Sequence, residues 1–253
     1  MFGGTINTVN HQYMHVISLG CFCSTALEMA RIGLRDHSYP FDWLLSDWKG
    51  VENAIKANFP DFLNPDFLYQ SKKYPAVYKN INQGFTFAHD FNKYIPLNEQ
   101  IANVQEKYKR RIDRFYQSIQ EPTLFIRYID TNCVWGGGEI QYLEQNLNEI
   151  QNLIKSFNLN NDILFICNDD YKSDILDVFY VKKDENDTVA RHFLDKNHSL
   201  FSCLSNISLP NKDKNTEFYL LKKKNQSENT ISNNFHRAWK KIFCNVYEHH
   251  KKY

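Results

Sequence analysis

The sequence predicts an α/β fold, a single domain in which helices cover a mainly parallel sheet. Short apolar runs that are typical of buried strands alternate along the chain with segments of helical periodicity. The runs are continuously apolar, as expected of strands covered on both faces. The 253 residues are 42% hydrophobic and 15% aromatic, enough for a substantial core. We therefore expect one domain over residues 1–253, in which residues 182–253 form a C-terminal extension.

The predicted elements follow from periodicity. Apolar runs predict strands over residues 15–19, 84–88, 123–128, 162–168, 177–181 and 218–221. Apolar residues spaced three and four apart predict helices over residues 25–31, 50–58, 97–119, 139–157 and 233–249. In the helix at 97–119, the basic residues from Lys107 to Arg114 lie opposite the apolar face. Residues 60–83 and 182–215 lack a clear period, so we expect irregular insertions there.

Composition excludes several classes of protein. Thirty Lys and Arg residues oppose 29 Asp and Glu residues, so the chain lacks the basic surplus of a non-specific nucleic-acid binder. Its apolar runs fall short of the roughly 18 residues that a membrane span needs, and its first 15 residues lack the apolar core of a secretory signal. The six cysteines are dispersed without a CxxC pair. We expect a cytoplasmic protein with no metal or other cofactor, no nucleic-acid partner and no membrane span.

Cys23 is the most sharply marked chemical feature. It follows the first predicted strand and Gly20, and it precedes a helix for which Thr25 and Glu28 form a capping-box pattern. Free amide groups and the helix dipole at such a position lower the pKa of a thiol. Cys23 is therefore a candidate thiolate nucleophile. The alternative is a buried cysteine that packs the turn.

His89 is the candidate base for this thiol. It follows the strand at 84–88 and stands beside Asp90. Imidazole titrates near neutrality, so a histidine within hydrogen-bond reach of Cys23 would form an ion pair with it at neutral pH. The alternative is a histidine at the surface or satisfied in the core.

Arg127 interrupts an apolar strand, and Asp130 and Asn132 follow that strand. A buried guanidinium needs a partner, because an isolated buried charge is very costly. The partner is either a carboxylate, for which Asp42 and Asp90 are candidates, or an anionic ligand such as a phosphate. Ligands gather at the carboxyl ends of parallel strands, which makes all three residues candidates for substrate binding.

The segment from Val16 to Trp48 resembles a bacterial family of unknown function described as papain-like cysteine peptidases. The residues of its signature are Ser18, Leu19, Gly20, Cys23, Arg35, Pro40, Phe41, Asp42 and Trp43. The resemblance continues at residues 87–91, 107–111 and 125–127, and it covers about residues 15–170. It implies that Cys23 is the nucleophile and His89 the base, which Asp42, Asp90 or Asp130 orients. It also implies a cysteine helix packed on an antiparallel sheet, whereas periodicity predicts a parallel one.

We therefore predict a cysteine-dependent hydrolase or acyl transferase with a small-molecule, glycan or peptide substrate. The predicted catalytic residues are Cys23, His89, Asp42 and Asp90, and the predicted substrate-binding residues are Arg127, Trp43, Asp130 and Asn132. Arg127 and the segment Pro40-Phe41-Asp42-Trp43 are expected to share a cavity with Cys23. Proteins of this type often occur beside enzymes of surface-polysaccharide assembly, so the resemblance also implies a role there. The alternative function is a non-hydrolytic phosphate- or nucleotide-sugar-binding protein, or a glycosyl-transfer protein, in which Cys23 is structural and Arg127 and His89 hold the phosphate.

Overall fold

The structure, a computed structural model, describes residues 12–130, 138–168, 173–182, 190–217 and 219. The strands in this part of the chain are β1 (His15–Ser18), β2 (Leu44–Ser46), β3 (Leu68–Gln70), β4 (Tyr78–Asn80), β5 (Phe85–Phe87), β6 (Thr123–Ile129), β7 (Asp162–Cys167) and β8 (Val178–Tyr180). Its α-helices are α1 (Cys23–Arg31), α2 (Trp48–Lys56), α3 (Leu97–Ser118), α4 (Glu139–Gln145), α5 (Leu147–Lys155) and α6 (His198–Ser205). Short 3₁₀ helices cover Pro65–Phe67 and Phe193–Lys196. None of the described helices is long and apolar enough to cross a membrane.

The larger framework is a parallel sheet in the order β1-β6-β7-β8. This arrangement confirms the predicted α/β fold. Strand β6 lies inside the sheet, and every one of its side chains is buried. Helices α3, α4 and α5 pack on one face of this sheet, and α1 and α6 pack on the other. Both faces of the sheet are therefore covered, which explains the unbroken apolar runs in the sequence.

Two apolar cores lie on opposite faces of this sheet. We call them the α1-side core, which contains Cys23, and the α3-side core, which contains Phe115. Because side chains alternate along a strand, β6 sends Leu124, Ile126 and Tyr128 into the α1-side core and Phe125 and Ile129 into the α3-side core.

A second, antiparallel sheet has the order β2-β5-β4-β3. Its pairing sets Leu44 opposite Phe87, so the segments that flank β2 and β5 meet at one end of this sheet. The strand before His89 was expected to belong to the parallel sheet, and that placement is wrong. Residues 60–83, expected to be irregular, contain β3 and β4. Each of these strands has only three residues, too few to show a period.

The ends of two predicted helices differ from expectation. The capping box was wrong, because α1 begins at Cys23 and no side chain caps it. The Thr25 hydroxyl instead donates to the Gly20 carbonyl at 3.4 Å, and Glu28 binds Arg31 at 2.6 Å. The helix predicted over residues 139–157 is divided at Asn146 into α4 and α5.

The C-terminal segment from residue 190 to residue 217 is more regular than expected. It contains Phe193–Lys196, α6 and a helical stretch at residues 212–217. A strand was predicted over residues 218–221, but residue 219 is helical. The helix predicted over residues 233–249 lies outside the described residues.

Candidate active site

The turn that carries Cys23 is tied to both sheets. The amide of Tyr128 in β6 donates to the Gly20 carbonyl at 3.0 Å, and the amide of Ser46 in β2 donates to the Cys21 carbonyl at 3.0 Å. Gly20 has a φ of +85°, and a Cβ added there would collide with the Ser46 hydroxyl. Only glycine adopts the positive φ and leaves room for the Ser46 hydroxyl without strain. The Ser-Leu-Gly pattern therefore fixes where the following helix starts.

Cys23 is the first residue of α1 and is 8% exposed. It lies in the α1-side core, and burial raises the pKa of its thiol to about 12. Its own backbone amide and the positive charge of Arg191 lower the pKa only in part. The expectation of a lowered pKa was therefore wrong, because the cost of desolvating a thiolate outweighs the gain from the helix terminus.

His89 lies at the edge of the same core. Its ring packs edge-on against Trp43, with 5.8 Å between the ring centroids, and Trp43 and Ala88 pack against the α1-side core that contains Cys23. Burial lowers the pKa of His89 to about 4, with a further decrease from Lys107 and an opposing increase from Asp90. At neutral pH the His89 imidazole and the Cys23 thiol are therefore both neutral.

Asp42 is 1% exposed and serves as the anchor of the segment before Trp43. Its Oδ2 accepts from Nη2 and Nε of Arg35, at 2.7 and 3.0 Å, and from the amide of Tyr39 at 2.9 Å. The Arg35 guanidinium also lies over the Trp43 ring, 5.7 Å from its centroid. These contacts orient Trp43, and through it the ring of His89.

Asp90 is held by helix α3. The ammonium of Lys107 binds Oδ1, and the hydroxyl of Tyr108 donates to Oδ2 at 3.0 Å. Arg111 packs over the Tyr108 ring at 5.0 Å, and Arg114 donates to the Ser38 carbonyl at 2.8 Å. These basic residues therefore bind the segments that carry Asp42 and His89, a role that the sequence pattern did not indicate.

Arg127 is completely buried and makes a salt bridge with Glu139 in α4. Nε and Nη2 each donate to this carboxylate at 2.8 Å. Nη1 donates to the Leu19 carbonyl at 2.8 Å and the Ser46 hydroxyl at 3.0 Å, and Nη2 also donates to the Ser46 carbonyl at 2.9 Å. The partner is thus neither Asp42 nor Asp90, and all three guanidinium nitrogens are engaged within the chain.

The position of Arg127 also separates it from the thiol. Because alternate side chains of a strand share a face, Arg127 points to the same side of β6 as Phe125 and Ile129, which is the α3-side face of the sheet. Cys23 lies on the α1-side face. The structure therefore does not bring the Arg127 side chain to the face that carries Cys23. Arg127 instead joins Leu19, the residue after β1, to Ser46 in β2 and Glu139 in α4.

Asp130 is buried at the carboxyl end of β6. Its Oδ1 accepts from Nδ2 of the Asn168 side chain at 2.7 Å. This contact joins the ends of β6 and β7. Asn132 lies outside the described residues.

Within the described residues, no group of three or more His, Cys, Asp or Glu side chains could hold a metal ion. A surface groove of about 760 Å³ lies between α2, α3 and α5, and none of the predicted site residues lines it.

Three residues that the sequence reasoning missed support this region: Glu139, Ser46 and Arg191. Glu139 follows a glycine triplet, and Ser46 is one of many serines. Arg191 lies in a stretch without periodicity. Nothing in the local sequence marks these residues, because their roles depend on contacts between distant segments.

Comparison with known proteins identifies the family. Residues 14–171 match the model of the family described as "Putative papain-like cysteine peptidase (DUF1796)". The match covers more than half of the chain, and the chain belongs to this family. An uncharacterized protein of Acanthamoeba polyphaga mimivirus is 34% identical over 121 residues, which represent 40% of this chain and 54% of the viral protein. The chain thus spans about half the length of this curated relative. No solved structure matches the chain significantly.

Proposed function

We propose that this protein is a cysteine hydrolase in which Cys23 attacks an acyl carbon and His89 is the general base. One observation carries the proposal: Trp43 and Ala88 pack on the core that contains Cys23, and His89 packs on Trp43. Membership of a family described as papain-like peptidases supports the same chemistry.

The protonation states define the first step. With the pKa of His89 near 4 and that of Cys23 near 12, both groups are neutral at pH 7. His89 accepts the thiol proton while the sulfur–carbon bond forms, as a histidine activates a serine hydroxyl. The resulting imidazolium then gives this proton to the leaving group as the tetrahedral intermediate collapses to a thioester. Water, deprotonated by His89, attacks the thioester and regenerates the thiol.

The start of α1 supplies the electrostatic stabilisation. No side chain caps this helix, which begins at Cys23. Amide donors at a helix N-terminus stabilise the oxyanion that forms on the attacked carbonyl.

Asp42 and Asp90 act as positioning residues in this scheme. Asp42 holds Arg35 against Trp43. Asp90, the residue after His89, is bound by the Tyr108 hydroxyl and so attaches this segment to α3. Arg127 supports the turn from the opposite face of the sheet. All three of its side-chain nitrogens donate to groups of this chain, which disfavours the alternative in which Arg127 holds a phosphate. Transfer of the acyl group to an acceptor other than water, and a role in surface-polysaccharide metabolism, remain proposals that a substrate would test.

The test is capture of the thioester. The protein is mixed with a small activated ester such as p-nitrophenyl acetate, quenched in acid and mapped by peptide mass spectrometry. We expect one acyl group on Cys23 and none in Cys23→Ala. The matched control is Cys21→Ala, since Cys21 is buried in the same core two residues earlier. The proposal is wrong if Cys21→Ala alone abolishes acylation, or if Cys23→Ala acylates as fast as the parent protein.

A further inference from the structure

The segment that follows residue 189 packs beside the turn of Cys23. Ala190, Phe193 and Leu194 are buried in the α1-side core together with Cys23. The Tyr128 ring connects the two segments, with its centroid 4.9 Å from that of Phe22 and 5.2 Å from that of Phe193.

One ion pair and one close contact between a histidine and a carboxylate join this segment to α1. The guanidinium of Arg31 binds Asp195 at 2.8 Å and Glu28 at 2.6 Å, so that it bridges the helix and the segment. Nδ1 of His192 lies 3.6 Å from the same Glu28 carboxylate. The backbone on both sides of Arg191 is therefore held against the helix that begins with Cys23.

The backbone at this point is strained. Ala190 has a φ of +47° and His192 a φ of +54°, a region that residues other than glycine rarely adopt. Such conformations persist only where the surrounding structure maintains them, and they concentrate at functional sites. Here the two strained residues flank Arg191, whose side chain is half-buried.

The charge of Arg191 reaches the site. It lowers the pKa of the Cys23 thiol against the larger effect of burial. The packing of Ala190 and Phe193 in the core that contains Cys23 brings this segment beside the turn. Arg191 also lies beyond residues 14–171, so this cation comes from the part of the chain outside the family match.

We infer that Arg191 is a substrate-positioning residue that binds an anionic group of the substrate beside Cys23. A guanidinium pairs with a carboxylate through two parallel hydrogen bonds, so the substrate class is an acyl compound with a carboxylate close to the bond that is cleaved. This inference extends the proposed function and rests on it, because the bound anion is a substrate only if the protein is a hydrolase. The anion site itself can be tested without turnover.

The experiment compares two alkylating reagents of similar size, the anion iodoacetate and the neutral iodoacetamide. Both react with the thiolate, so the ratio of their rates at Cys23 does not depend on the thiol pKa. Rates are measured by peptide mapping in the parent protein, Arg191→Gln and Arg191→Lys. We expect Arg191→Gln to lower the iodoacetate-to-iodoacetamide ratio roughly five- to tenfold, the effect of losing one nearby opposite charge, and Arg191→Lys to retain most of it.

The matched control is Arg110→Gln, which removes the same charge from an exposed pair with Glu106 on α3 and should leave the ratio unchanged. An unchanged ratio in Arg191→Gln, with unfolding at the same urea concentration as the parent, would overturn the inference. A ratio that falls equally in Arg110→Gln would overturn it as well, because net charge would then explain the effect. If the ratio falls only in Arg191→Gln while no ester acylates Cys23, the anion site stands and the proposed hydrolase does not.

Discussion

Replacing Arg127 by methionine separates a structural role for this residue from a ligand-binding one. The substitution keeps an unbranched side chain of similar length but removes every hydrogen bond to Glu139, Leu19 and Ser46. It leaves the Glu139 carboxylate, which is 6% exposed, without its countercharge. Breaking a buried ion pair from one side costs about 3–5 kcal/mol, and we expect Arg127→Met to lose stability in that range.

The assay is urea unfolding at pH 7, followed by circular dichroism, for the parent protein, Arg127→Met and the double variant with Glu139→Gln. The double variant should regain part of the loss, because it no longer buries an uncompensated charge, while Glu139→Gln keeps an acceptor for the Trp48 amide. The control Arg110→Met breaks an exposed pair and should change stability by less than about 1 kcal/mol. If Arg127→Met costs no more than this control, the support role is refuted and the ligand-binding reading regains its basis.

Two further predictions concern His89 and Gly20. The pKa of His89 is about 4 in the folded protein and near 6.5 when unfolded, so the unfolded state binds more protons between these values, and stability falls as pH drops from 6.5 to 4. Over that window the parent should lose about 3 kcal/mol more than His89→Gln in urea unfolding, and parallel curves would contradict the neutral buried imidazole. Gly20→Ala should destabilise the protein by at least about 2 kcal/mol in the same assay, because it adds a collision with Ser46 to the cost of a positive φ. Gly138→Ala is the matched control, since Gly138 has a φ of +84° with open space around its added Cβ, and equal losses in the two variants would show that the collision is unimportant.

The parts of the fold that were predictable are those whose signal is local. Helix α3 and strand β6 are long, and their periodicity identified them within a residue or two. Strands β3 and β4 were missed because three residues carry no period. Their stability comes from pairing, of β3 with β4 and of β4 with β5. The direction of the pairing between β2 and β5 is likewise a tertiary property.

The candidate site divides in the same way. Sequence reasoning identified Cys23 and His89 by their positions at element ends, and it recognised that Arg127 needs a partner. The choice of Glu139 as that partner depends on how α4 returns to the sheet, which no short-range pattern encodes. The pKa of Cys23 moves in the opposite direction to the prediction because the helix terminus is visible in the sequence, whereas the burial that dominates comes from distant segments.

If a neutral His89 activates a neutral Cys23 thiol, the pH dependence of Cys23 acylation follows the protonation of the imidazole. The rate of thioester formation is measured by rapid quench between pH 3.5 and 9 in the parent protein and in His89→Gln. We expect the acylation rate to rise through an apparent pKa near 4, where His89 loses its proton, and then to stay level through neutral pH. In His89→Gln the level rate should fall by about 10²- to 10⁴-fold, the contribution of a general base. A rate that rises steadily with pH toward the pKa of the free thiol, and that is the same in both proteins, would contradict the account.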